Sequence, residues 1–195
     1  MARSGRFPPR ALAFYLESLR YLFGQSELNV ERAIATLRQR GDAHHAQYFE
    51  EKIVEERGHA AWAQDDLRQL PDAATRDVRP AQAVVRLIEL QRSFVAQHPL
   101  YFVVYILWAE YFTALVGDEW IEALACSGYG QQQLSAVVQH VAADRGHAPE
   151  GFAALERLWR GEPSIAELCA AVERAAREFE AFCDEVCAVA AHSND

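Results

Sequence analysis

The sequence predicts an all-helical bundle of about seven helices, folded as one domain over residues 1–195. Three observations point there. Apolar residues recur every three or four positions through most of the chain. Proline and glycine fall singly between those stretches and never gather into a flexible tract. No alternating strand pattern competes with the helical one. A hydrophobic content of 51%, with 11% aromatics over 195 residues, is enough for a substantial core and excludes the disordered class.

In chain order, Pro8-Pro9 opens a first helix through RALAFYLESLRYLF that is expected to end near Gly24. Ser26 is expected to cap a second helix running to about Arg40, with Gly41-Asp42 as a break. His44 to Leu70 reads as one amphipathic helix closed by Pro71. Pro80 and Pro99 each open a helix, and the very short turn between the two makes them neighbours in space. A short helix is expected from Trp120 to Ala125, then a break at Ser127-Gly128-Tyr129-Gly130 and a helix over about Gln131 to His147. Pro149, Gly161 and Pro163 are expected to bound a short helix near Phe152 to Trp159, ahead of a long last one from about Ser164 to Ala190.

The formal charge is −9, from 28 acidic and 19 basic residues, and no Arg/Lys stripe offsets it, so a nucleic-acid surface is not expected. The opening Met1 to Arg10 carries Arg3, Arg6 and Arg10 but lacks the apolar core of a signal peptide. Pro99 to Val116 is strongly apolar yet interrupted by Glu110 and several tyrosines, which reads as a core helix instead of a membrane span. Cys126, Cys169, Cys183 and Cys187 match no zinc spacing, so reduced thiols and a cytoplasmic location are expected.

Three polar clusters interrupt this apolar pattern. In HVAADRGH, His140, Asp144 and His147 stand at i, i+4 and i+7, one stripe of a helix with 3.6 residues per turn. Two imidazoles and a carboxylate converging from one face make a metal-ligand set; the competing reading is a solvated polar face. In YFEEKIVEERGH, Glu56 and His59 form the i, i+3 pair with which di-iron bundles place an oxygen and a nitrogen on one metal edge. Glu55 competes with Glu56 for that role, and Lys52, one turn earlier, is placed to pair with Glu56 from behind. Glu110 lies inside VVYILWAEYFTALV, where an ionised carboxylate is costly to bury without a metal or a basic partner. Val103, Ile106 and Thr113 share its face and are expected to line an apolar cavity.

The candidate ligands are therefore Glu56, His59, Glu110, His140, Asp144 and His147, with Glu56, Glu110 and Asp144 also the candidate catalytic carboxylates. This mixture of nitrogen and oxygen without sulfur suits iron or manganese better than structural zinc, and six ligands fit two metal ions better than one. A further carboxylate from the first helices is expected for such a pair, with Glu17, Glu27 and Glu31 as undecided candidates. Trp62 is read as core packing near His59.

With these residues, EERGHAAWAQDDL at 55–67, Glu110 in the helix preceded by QHPLYF, and HVAADRGH at 140–147, the chain resembles the haem-oxygenase-like di-iron oxidase and oxygenase superfamily. That superfamily is related in fold to the TenA thiaminase and pyrroloquinoline-quinone synthase proteins, and the resemblance runs from about Tyr15 through the last helix. It implies a seven-helix haem-oxygenase-like bundle without haem, in which the six residues above hold two Fe(II) ions, or manganese in their place. The activity implied is oxygenation of nitrogen, hydroxylation or oxidative carbon–carbon cleavage of an amino-acid-like or fatty-acid-like metabolite. Dioxygen, a small-molecule substrate, an external reductant and a homodimeric partner are the implied associates, with neither nucleic acid nor membrane. The first-helix glutamate of the pattern has no unambiguous counterpart here.

Two rival readings use the same fold: a metal-free enzyme working by acid–base chemistry, and a non-catalytic partner protein. A true haem oxygenase is disfavoured because Pro8 to Phe23 contains no histidine. Arg57 and Arg145 are the candidates to meet a substrate carboxylate, although each points away from its ligand stripe.

Overall fold

Helix boundaries follow local chemistry at some points and override it at others. A computed structural model of the chain describes residues 7–193; Arg3 and Arg6 of the basic opening segment lie outside them. Among the described residues the order is α1 (Pro9–Gln39), α2 (Ala43–Glu56), α3 (His59–Arg68), α4 (Asp72–Thr75), α5 (Gln82–Gln97), α6 (Pro99–Cys126), α7 (Ser135–Leu158) and α8 (Ile165–His192). With α4 a single turn, seven substantial helices make the bundle, as the sequence predicts.

The predicted break at Gly24 does not occur. A helical glycine costs only about 1 kcal/mol relative to alanine, and Leu16, Leu19, Phe23, Val30, Ala33 and Leu37 keep one continuous buried stripe across it. Ser26 is no cap: its hydroxyl meets the Gln91 side chain of α5, which also accepts from Asn29 at 3.0 Å and donates to Tyr105 at 2.9 Å. Pro149 likewise fails to end α7, which runs on to Leu158 along the longest helix–helix interface of the bundle, that with α6. The separate helices expected at Trp120–Ala125 and Phe152–Trp159 are the continuations of α6 and α7.

Where the sequence predicts one helix over His44 to Leu70, the chain breaks between α2 and α3. Arg57 is extended and Gly58 takes φ +87°, a left-handed conformation that favours glycine and restarts the helix at His59. α5 and α6 meet as expected through His98 alone, whose Nδ1 accepts from the Leu100 amide at 3.2 Å. α8 begins where predicted, with Ser164 and Glu167 forming a reciprocal capping box.

α1 packs on α2, α3, α5 and α8, while α6 packs on α5, α7 and α8. α6 is long and apolar enough to cross a membrane by length and composition, but half of its most apolar window is buried within the bundle. The start of α7 is held from another helix. Asp66 of α3, fully buried, accepts from the Ala136 amide at 2.8 Å and from the Ser135 hydroxyl. Asp66→Ala should therefore cost about 2–3 kcal/mol, since it leaves a buried amide without a partner. Chemical denaturation checks this; a loss under about 0.5 kcal/mol would remove the anchoring role.

Candidate metal centre

The break at Arg57-Gly58 places Glu56 as the last residue of α2 and His59 as the first of α3. Their side chains still meet, with His59 Nδ1 3.5 Å from Glu56 Oε2. His59 is buried, stacked on Trp62 with centroids 4.3 Å apart, and faces the His140 ring at 4.7 Å. Trp62 thus packs against the imidazole from a half-buried position at the edge of the core. Glu56, His59 and His140 each offer an atom within 4.8 Å of the others, and together they form the first cluster. Burial pushes the Glu56 carboxyl up, but the imidazoles of His59 and His140 outweigh it and hold it below its ordinary value.

The α7 stripe divides between two clusters. His140 belongs to the first, whereas His147 joins Glu55 and Glu110 in a second group of the same size. Asp144 stands between them and belongs to neither: its Oδ2 accepts from His140 Nδ1 at 3.0 Å, and its Oδ1 is 3.6 Å from His147 Nδ1. A carboxylate only accepts, so neutral His140 carries its proton on Nδ1 and leaves Nε2 bare for a ligand. Such a carboxylate behind a histidine fixes its tautomer and orientation. Burial lowers the His140 pKa, but Asp144, Glu56 and Glu110 outweigh it and raise the group above its ordinary value.

Glu110 is buried, as its place in α6 requires, and its charge is met by lysine. Lys52 Nζ donates to Glu110 Oε1 at 2.7 Å and to Glu55 Oε2 at 2.6 Å, its side chain only 5% exposed. The lysine expected to pair with Glu56 therefore pairs with Glu55 and Glu110, because its ammonium turns toward α6. Burial pushes the Glu110 carboxyl up, against the pull of Lys52, to about 7. The choice between Glu55 and Glu56 dissolves, since each faces a different cluster.

Among the described residues no first-helix carboxylate joins either cluster. Glu17 is bound to Arg20 through two 2.7 Å bonds, and Glu31 is exposed. α1 instead presents Phe23, stacked on His140 with centroids 4.4 Å apart. Nothing in the sequence distinguishes Phe23 from the other core aromatics, so only the fold identifies it.

Three buried atoms in these clusters lack a hydrogen-bond partner: His59 Nδ1, His140 Nε2 and Glu110 Oε2. Unpaired polar atoms are costly to bury, and a cation bound between them would satisfy them. The donor set of imidazole and carboxylate fits a divalent transition metal such as iron or manganese.

Glu56, Glu110, His140 and Asp144 face an apolar cavity of about 570 Å³ between α1 and the α6, α7 and α8 helices. Ile106 and Thr113 line it as expected, joined by Phe102 and Tyr105, while Val103 packs into the core instead. Neither arginine reaches it: Arg57 is exposed and Arg145 is paired with Asp118 on the surface. No lysine or arginine lies in its described lining, which does include Cys183 and Cys187 of α8. Those thiols stand apart from both clusters.

Fold and site together define a haem-oxygenase-like helical bundle with two His/Glu clusters able to host divalent ions at the edge of an apolar cavity. The architecture is that of a solved domain of unknown function with a haem-oxygenase-like fold from Shewanella denitrificans, to which this chain is similar with a TM-score of 0.81 and 17% identity over 95% of this chain and 81% of that one. No family model matches the sequence, and no curated protein matches it.

Proposed function

We propose that this chain is a non-haem, iron-dependent oxidoreductase that uses dioxygen on a small, largely apolar metabolite held in the cavity. The observation that carries this reading is the pair of unpartnered imidazole nitrogens, His59 Nδ1 and His140 Nε2, buried beside Glu56. Iron, when bound there, supplies dioxygen binding and electron transfer, with manganese the alternative ion.

The chain's own residues do the rest. Asp144 holds the proton on His140 Nδ1 and aims Nε2 at the cluster. Glu56, kept below its ordinary pKa, is an anionic ligand at neutral pH. Phe23 and Trp62 clamp the two imidazoles by stacking. Phe102, Ile106 and Phe179 wall the cavity against water and leave room for an alkyl or aromatic portion of the substrate. Because its described lining holds no lysine or arginine, a substrate carboxylate is left to the metal or to solvent. The reaction classes that fit are oxygenation at nitrogen, hydroxylation at carbon and oxidative carbon–carbon cleavage, each drawing electrons from an external reductant or from the substrate.

The test is dioxygen uptake by protein reconstituted anaerobically with Fe(II), against metal-free and Zn(II)-loaded protein. Uptake coupled to oxidation of the bound iron, absent from both controls, is expected. Failure to retain iron, or equal uptake in all three samples, would refute the reading and leave the metal-free enzyme in its place.

A further inference from the structure

The two clusters differ in one respect: the second already contains a cation. Lys52 Nζ lies 2.6 Å from Glu55 Oε2 and 2.7 Å from Glu110 Oε1, so its ammonium is bound by two of the three groups that would hold a metal there. The third, His147, has Nε2 3.5 Å from the same Glu55 oxygen. In the first cluster His59 Nδ1 and His140 Nε2 have no hydrogen-bond partner, and Lys52 makes no hydrogen bond to Glu56. The lysine is itself buried at 4% exposure and held on both sides by carboxylates, so it is not a surface residue passing by.

We propose that Lys52 is a built-in cation occupying the second cluster, so that this chain holds one divalent metal at Glu56, His59 and His140 and admits a second only when the ammonium is removed. The inference rests on the metal-centre reading above. Charge argues the same way. Glu55, Glu56, Glu110 and Asp144 supply at most four negative charges, which two divalent ions would balance by themselves, whereas two such ions and an ammonium would exceed them. A metal drawing on Glu55 Oε2 and Glu110 Oε1 would share them with a like charge at bonding distance or evict a buried lysine from both its partners. Lys52 also orients Glu110: by occupying Oε1, it leaves Oε2 as the unpartnered atom. On this proposal the second cluster, which could host a divalent ion, holds the ammonium in place of a second iron.

The test is metal stoichiometry, read independently of activity. Wild type, Lys52→Met and Lys52→Arg are loaded anaerobically with Mn(II), desalted, and assayed by elemental analysis and electron paramagnetic resonance. Lys52→Met removes the charge and keeps a buried stem of similar length, while Lys52→Arg retains the charge. Wild type and Lys52→Arg should hold about one ion per chain with the spectrum of isolated Mn(II). Lys52→Met should hold about two, a twofold rise, with the spectrum of an exchange-coupled pair. About two coupled ions in wild type would overturn the role of Lys52 while leaving the metal centre intact, as would a Lys52→Met count equal to wild type. No retained metal in any of the three would overturn the metal-centre reading, and this inference with it. Should Lys52→Met fail to fold, the wild-type count and spectrum still decide between one ion and two.

Discussion

Replacing His140 by alanine should weaken divalent-metal binding at the first cluster by at least about 100-fold, more than the loss typical of a residue that only supports a ligand. His140 contributes Nε2, one of the two buried and unpartnered imidazole nitrogens there, and with Glu56 and His59 it completes the group. The same change strips Asp144 of its 3.0 Å donor and Phe23 of its stacking partner. Metal-free protein should therefore also lose roughly 2 kcal/mol, since Asp144 stays buried with a carboxylate oxygen unpaired. Asp144→Asn separates the two effects: it keeps the ligand, alters only its support, and should weaken binding by about tenfold. Competition against a chromogenic chelator measures both variants, and wild-type affinity in His140→Ala would remove His140 from the site.

The second large effect is expected at a residue that is not itself a ligand. Gly117 of α6 lies against Val141 of α7, and a Cβ at position 117 would come 3.0 Å from Val141 Cγ1 and nearer still to Cγ2. The helices therefore approach through a gap that only hydrogen can fill, and Val141 is the immediate neighbour of His140. Gly117→Ala should cost about 2 kcal/mol by overpacking. For a chain of this size that lowers the melting temperature by roughly 4–8 °C. Because α7 must move away from α6, metal affinity should fall as well, although residue 117 touches no ligand. Val141→Ala vacates the space, so the double variant should recover more than about 1 kcal/mol of the loss. Simple additivity of the two changes would show that the close approach does not position α7.

Much of the site was visible in the chain because its signals are local. His140, Asp144 and His147 share a stripe for reasons of helical pitch alone, and Glu110 stands out by its apolar surroundings. Local punctuation is the weaker signal. Gly24 costs its helix about 1 kcal/mol and Pro149 about 3 kcal/mol, and the long buried stripes of α1 and α7 outweigh both. Gly58 breaks a helix with no local signal to mark it, because its left-handed conformation is a choice the surrounding chain makes.

By itself, then, the sequence determined that this protein is helical, which faces of its helices are apolar, and which residues have metal-binding chemistry. Each of these follows from spacing within a few turns of one helix. Only the tertiary structure decided how those residues are shared: His140 to one cluster, His147 to the other, Asp144 behind His140, Phe23 in place of a first-helix carboxylate, and Lys52 on Glu110 across 58 positions of sequence. The physical reason is that a cluster exists only where helices distant in sequence approach within a few ångströms. That distance is set by contacts such as Gly117 against Val141 and Asp66 on the first turn of α7, whose energies depend on both partners and leave no mark on either segment alone.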